Sequence, residues 1–333
     1  MAGDSRRVTV LGDGGWGTCL AILLARQGHK ITLWGYSPRY IAQVRQKREN
    51  PKFLPGIRIP SSVALTADFS EAWDGAQVLV VAVPSQYLRR VLESARGGPW
   101  NRALVVSVVK GIEPGTLLRM SEMIRTIVPV KQLVVLSGPS ISYEVARGVP
   151  TTVVAASTQA AAARQVQALF STDRFRVYTS SDVVGVELGG ALKNVIAIAC
   201  GVADGLGFGA NSKAALVTRG LAEMARLGAA MGARSKTFTG LSGLGDLVTT
   251  CFSEHSRNRR VGEQLGRGVP LETIRRGMEQ VAEGITTAQS AYSLSRKYKV
   301  EMPITREIYR ILHEGKSAKK AVADLMSREL KPE

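Results

Sequence analysis

The sequence reads as an α/β protein in which an N-terminal doubly wound, mainly parallel sheet precedes an all-helical C-terminal domain. Three observations carry that reading. A strand, a glycine-rich turn and a helix open the chain. Short Val-rich runs then recur up to Tyr178, and beyond Thr179-Ser180-Ser181-Asp182 the texture changes to long helical periodicity rich in Ala, Leu and Gly. The boundary is placed at that change. It gives a dinucleotide-binding domain over 1–181 and a helical substrate-binding domain over 182–333.

Each element has a local reason. Residues 8–11 form a short buried strand, Gly12, Gly14 and Gly17 fit G-x-G-x-x-G, and residues 18–26 form an apolar helix. In a turn of this Rossmann-like kind the first glycine allows the tight bend. The second lets backbone approach a pyrophosphate, the third packs helix on strand, and the helix start offers free N–H donors. A second strand at Lys30–Trp34 completes the βαβ start. Further strands are expected at 78–83, 104–109, 133–136, 151–155 and 175–178. Ligands in such sheets sit beyond the strands' carboxyl ends, which directs attention to Tyr36, Pro84-Ser85, Lys110-Gly111 and Gly138-Pro139-Ser140. Ser180, Ser181 and Asp182 suit a helix N-cap, and helices are expected over 183–205, 212–231, 257–265, 286–298, 304–312 and 318–328.

Composition narrows the function classes. With 333 residues, 45% hydrophobic content and a mean hydropathy of +0.03, the chain suits a packed soluble protein of two domains. The N-terminus enters the first strand almost at once, leaving no room for a signal peptide. No apolar run approaches the roughly 18 residues of a membrane span, so the expected setting is cytoplasmic, without membrane insertion. Net charge is +17, but Lys and Arg come singly or in pairs such as Arg89-Arg90 and Arg275-Arg276. That distribution argues against nucleic acid and suits small anionic substrates. Cys19, Cys200 and Cys251 are odd in number and far apart, which suggests neither a disulfide framework nor a zinc site. The three histidines are scattered, so no metal is expected and a proton donor is sought among lysines and carboxyls.

Two stretches could carry chemistry. Lys193 stands in an otherwise apolar helix, where it either snorkels to water or serves as a general acid whose pKa is drawn down by burial or by a second cation. Lys110, at a strand tip, is either that cation or an ordinary exposed lysine. The glycine-dense segment 240–250, followed by Ser256-Arg257-Asn258-Arg259-Arg260, reads equally as a phosphate clamp or as a solvated loop before a basic helix start.

Taken together, GDGGWGTCLA (12–21), NPKFLPG (50–56), VPSQ (83–86), KGIE (110–113), GPS (138–140), ELGGALKNVIAIACGVADGLGFGANSKAAL (187–216), GLSGLGDLVTTC (240–251), SRNR (256–259) and VAEGITTA (281–288) resemble the NAD(P)-dependent glycerol-3-phosphate dehydrogenases, most closely the bacterial type. The similarity continues to EMPITREIYRILHEG (301–315). It implies NAD or NADP as cofactor and a phosphorylated small-molecule substrate. The reaction implied is the reversible reduction of dihydroxyacetone phosphate to sn-glycerol 3-phosphate for glycerophospholipid synthesis, in a cleft between the domains. By resemblance, Gly15 and Trp16 line the dinucleotide, Tyr36 lies by the adenosine, and Ser142, Arg257, Val281 and Glu283 touch cofactor. Lys110 touches both cofactor and substrate. Gly138, Ser140, Asp246, Ser256, Arg257 and Asn258 hold the glycerol phosphate, with Lys193 as proton donor and acceptor and Lys110 stabilising the developing charge. A homodimer is the family default.

Three positions depart from the family pattern. Asp13 places an acid in the glycine turn, where it opposes the pyrophosphate unless it points outward; Tyr36 replaces a frequent basic residue; Ser142 replaces a common alanine. Between Thr18 and Arg48 there is no Asp or Glu, so the usual ribose-gripping acid is missing and NADPH is expected to be accepted, with Arg39 as a nearby charge. Two rival readings remain at this level: a hydroxy-carboxylate dehydrogenase of the same two-domain plan, and a non-enzymatic nucleotide-binding protein.

Overall fold

The computed structural model describes residues 5–278 and 280–330. The chain divides into two compact units, Met1–Lys110 with Arg119–Val183, and Gly111–Leu118 with Val184–Glu333. The excursion of Gly111–Leu118 into the second unit has no counterpart in the sequence reading. It is anchored there by Ile112, which joins that unit's core and whose carbonyl accepts from Ser290 Oγ at 3.1 Å.

The strands described in the first unit are β1 (Arg7–Leu11), β2 (Lys30–Trp34), β3 (Glu49–Asn50), β4 (Leu54–Arg58), β5 (Val63–Thr66), β6 (Val78–Val81), β7 (Leu104–Ser107), β8 (Gln132–Ser137), β9 (Thr151–Ala156) and β10 (Phe175–Ser180). Eight form one sheet in the order β5-β2-β1-β6-β7-β8-β9-β10, with β3 and β4 a separate antiparallel pair. In the large sheet only β8 and β9 pair antiparallel. β1 lies centrally, Val10 standing between Leu33 of β2 and Val80 of β6. Helices cover both faces of such a sheet, which is why its inner strands are continuous apolar runs. The chain leaves β1 in one direction for β2 and returns on the other side to β6, creating the switch point where ligands bind.

Several expected elements are revised. The runs 78–83 and 104–109 stop as strands at Val81 and Ser107, although Val83, Val108 and Val109 stay buried beyond them. β5 is only four residues long, and β4 carries Pro55 and Gly56, so neither gave a strand signal. The opening helix spans Gly15–Arg26, starting inside the glycine motif. Because β9 runs against β8, the edge where β8 ends receives the starts of β9 and β10, Thr151 and Phe175, and not their ends.

The second unit is helical. Val183–Gly205, Ala210–Ala230, Arg257–Gly266, Glu283–Lys297, Pro303–His313 and Ala318–Met326 stand where periodicity placed helices. Ser235–Phe238, Asp246–Phe252 and Leu271–Arg276 were too short to show it. The segment 240–250 is not a solvated loop. It forms a π-helical turn, Leu241–Gly245, that runs into the helix beginning at Asp246, and a Cβ at Gly243 would strike the Phe238 carbonyl, so this glycine serves packing.

Val183–Gly205 also corrects the expectation about apolar runs. It is long and apolar enough to cross a membrane, yet 89% of its most apolar 18-residue window is buried inside the protein. Glu187 and Lys193 interrupt the run without lowering its mean enough to disqualify it, and the helix is the spine of the second core. Cys200 on it neighbours Cys251, although the two are far apart in sequence; that thiol and burial push Cys251 above its ordinary value, and all three cysteines are buried.

One buried carboxylate organises a helix start. Glu223 accepts from the Ile304 N–H at 2.6 Å, the Thr305 N–H at 3.1 Å and the Thr305 hydroxyl at 2.9 Å. These are donors that the first turn of Pro303–His313 cannot satisfy itself. Glu223→Ala is expected to cost about 3 kcal/mol in denaturant unfolding, because buried donors lose their partner. Burial pushes the Glu223 carboxyl above its ordinary value, against those hydrogen bonds and Arg226. The folded state therefore holds this proton more tightly than the unfolded chain. That contribution is fully present below the ordinary carboxylate range and is lost as pH rises through the raised folded value. Glu223→Gln should remove this part of the pH dependence of stability.

Candidate active site

In the first unit the three motif glycines have distinct jobs. Gly12 holds φ +118°, and a Cβ on it would lie 2.6 Å from the Ala82 carbonyl oxygen. Gly17 abuts the Gly12 carbonyl, so helix and turn close against each other. Above Gly14 a Cβ would meet nothing within 4 Å, and the helix it precedes has no side-chain cap and no acid in its first turn. An open backbone surface next to uncapped N–H donors fits a pyrophosphate. Gly15 is pressed against the Phe53 carbonyl and stands beside Ser142 Oγ. Trp16 is half-buried and packs against the core, its ring 6.4 Å from that of Phe175.

Asn50 fixes this turn. Fully buried, it donates through Nδ2 to the Asp13 carbonyl at 2.7 Å and to Thr18 Oγ1 at 2.8 Å, and accepts from the Tyr40 hydroxyl and the Phe53 N–H. Sequence reasoning named the NPKFLPG motif but gave Asn50 no role. The Asp13 carboxylate lies against Gly35, just past β2. Burial pushes its carboxyl above the ordinary value, opposed by its own backbone N–H and by Lys52. Tyr36 is exposed and its hydroxyl accepts from Arg90 at 2.8 Å, with the guanidinium 5.5 Å from the ring centre. Arg90 too went unnoticed as a site group, since only its pairing with Arg89 was visible.

At the end of β8, Gly138 presents a carbonyl that accepts from Lys110 Nζ at 3.1 Å and Ser140 Oγ at 2.9 Å. Gly138 itself holds φ +143° over Val153. Lys110 and Ser140 are half-buried and brought together by this one oxygen.

In the second unit Lys193 does not reach water. Its residue is 6% exposed, and Nζ pairs with Asp246 Oδ1 and donates to Thr250 Oγ1 at 2.7 Å. Thr250 in turn donates to the Asp246 carbonyl at 2.6 Å. Within its unit the lysine is ion-paired to a carboxylate. Thr250 completes this group although sequence reasoning assigned it nothing. Asn194, next along the helix, accepts from Asn258 Nδ2 at 2.9 Å, and Asn258 Oδ1 accepts from the Gly284 N–H at 2.9 Å. Ser256 caps the helix Arg257–Gly266 by accepting from the Arg259 N–H. Arg257 is exposed and its side chain makes no hydrogen bond or ion pair among the described residues. Val281 and Glu283 flank the start of Glu283–Lys297, both half-buried.

Residues 7–163 match the model of the NAD-dependent glycerol-3-phosphate dehydrogenase N-terminus, and residues 182–323 that of its C-terminus. The chain belongs to this dehydrogenase family. It is 52% identical over 332 residues to the glycerol-3-phosphate dehydrogenase [NAD(P)+] of Citrifermentans bemidjiense, with 99% of each chain covered. The corresponding protein of Bacillus pumilus is 50% identical over 326 residues, covering 97% of this chain and 94% of that one. The crystal structure of glycerol-3-phosphate dehydrogenase from Coxiella burnetii superposes with a TM-score of 0.94 at 36% identity, covering 97% of this chain and 99% of that one. The chain is therefore an NAD(P)-dependent oxidoreductase, and the non-enzymatic reading falls away. The hydroxy-carboxylate alternative loses its ground for the same reason, since both halves match the glycerol-phosphate family.

Proposed function

We propose that this chain reduces dihydroxyacetone phosphate reversibly to sn-glycerol 3-phosphate, with Lys193 as its acid and base. The observation that carries the assignment is the buried group of Lys193, Asp246 and Thr250. An ammonium placed against a carboxylate is the proton-donating form, and a glycerol phosphate family member needs such a donor at the ketone oxygen. The nicotinamide cofactor supplies the hydride when bound. Lys193 gives its proton to the oxygen on which charge develops and takes it back in the reverse direction. Asp246 and Thr250 are positioning residues that fix the ammonium. Lys110, tied to the Gly138 carbonyl, adds positive charge for the alkoxide. Gly12, Gly14, Gly15, Trp16, Gly17, Tyr36 and Ser142 serve the dinucleotide, joined by Arg257, Val281 and Glu283. Gly138, Ser140, Ser256, Arg257 and Asn258 serve the phosphorylated substrate.

The same reading places the enzyme in the cytoplasm as a homodimer that supplies phospholipid synthesis. Sedimentation of the purified protein tests the dimer. Absorbance at the nicotinamide band, with dihydroxyacetone phosphate and either NADH or NADPH in separate cuvettes, tests the reaction. Loss of absorbance with a 2-keto acid but not with dihydroxyacetone phosphate would overturn the assignment.

A further inference from the structure

A strand in the position of β2 commonly ends in an acid whose carboxylate faces the adenosine ribose. Here the strand ends in Trp34 and Gly35, and no Asp or Glu lies between Thr18 and Arg48. An acid nevertheless occupies the place. A Cβ built on Gly35 would strike Ile41 Cδ1 and would lie 2.6 Å from Asp13 Oδ2 and 2.7 Å from Asp13 Cγ. The carboxylate of Asp13 thus shares with Ile41 the space into which a side chain at position 35 would project, and the bare glycine makes room for both.

The placement is fixed from both sides. The Asp13 carbonyl is held by Asn50 Nδ2 at 2.7 Å and by Thr18 Oγ1 at 3.4 Å, and the Gly35 N–H donates to the Thr66 carbonyl at 3.0 Å. Lys52 is the cation that attracts the carboxylate, while Arg90 is engaged with Tyr36 on the residue beyond Gly35.

We propose that Asp13 is the specificity-determining acid of the cofactor site, accepting hydrogen bonds from the adenosine ribose hydroxyls and disfavouring a 2′-phosphate. The proposal rests on the dinucleotide reading of the glycine turn. It refines the expectation that NADPH is accepted: both dinucleotides bind, with NADH preferred. A 2′-phosphate removes one hydroxyl donor from the carboxylate and sets negative charge beside it, and both effects act against NADPH.

The test is direct binding, by nicotinamide fluorescence for NADH and NADPH and by calorimetry for 5′-AMP and adenosine 2′,5′-bisphosphate. Wild type is expected to bind NADH at least about tenfold more tightly than NADPH. Asp13→Asn and Asp13→Ser should bring the two within about threefold of each other, chiefly by tightening NADPH, and the adenosine fragments should follow the same order. Equal binding of both cofactors by wild type, or a preference that both Asp13 variants retain, overturns the proposal. If wild type binds neither dinucleotide, the reading of the turn itself fails.

Discussion

Lys193→Ala is expected to lower kcat by at least about a thousandfold, since general acid catalysis and charge stabilisation at the alkoxide each contribute on the order of a hundredfold or more. Cofactor affinity should stay within about tenfold of wild type by fluorescence titration, because the glycine turn belongs to the other unit. Truncation leaves Asp246 buried without its cation, so part of the defect is expected to be one of stability, on the order of 3 kcal/mol. Lys193→Arg separates the two effects. Guanidinium keeps the charge beside Asp246 but does not release a proton near neutral pH, so this variant should be as stable as wild type to within about 1 kcal/mol and nearly as inactive as the alanine. An arginine variant that kept most of its turnover would reduce Lys193 to a fixed charge and move the proton transfer to Lys110 or water. Asp246→Asn tests the positioning role. It should lower kcat with little change in KM, a split that a purely structural residue would not produce.

The fold was legible in the sequence wherever periodicity ran long enough. β1, β2 and the helix Val183–Gly205 stand where residue pattern put them, because one face or both faces of each must be apolar along its length. The four residues of β5 and the Pro-Gly pair in β4 left no such trace. Local pattern also says nothing about direction, which is why the reversal at β9 was invisible. For the site, a lysine in an apolar helix drew attention to Lys193, whereas its partners Asp246 and Thr250 come from a segment whose glycines read equally as a phosphate clamp or a solvated loop. Those glycines instead allow a π-helical turn to approach its neighbours closely, and that turn delivers Asp246 to the lysine. Asn50, Arg90 and the true position of the Asp13 carboxylate depend on contacts across tens of residues, for which single-sequence spacing carries no signal.

The second large effect concerns the substrate's phosphate. Beside the substrate role proposed for them, Ser256 and Asn258 have structural duties: the serine caps its helix, and the asparagine joins Asn194 to the Gly284 N–H. Arg257, between them, is exposed at the first position of that helix, where backbone N–H groups and the helix dipole already favour an anion. The division predicts two classes of variant. Asn258→Ala should destabilise by about 1–3 kcal/mol, since it strands the buried Gly284 N–H and Asn194. Arg257→Ala should fold as wild type and lose on the order of a hundredfold or more in kcat/KM for dihydroxyacetone phosphate, with Arg257→Lys also impaired because a point charge does not reproduce the guanidinium fork. Unphosphorylated dihydroxyacetone should be worse by at least about a thousandfold with wild type, because a site built for a charged, hydrogen-bonding group rejects the analogue that lacks it. With Arg257→Ala that discrimination should shrink, the larger loss falling on the phosphorylated ketone. If both ketones lost activity in parallel, Arg257 would be acting on the cofactor and not on the phosphate, and the anion site would have to be sought at Lys110 and Ser140.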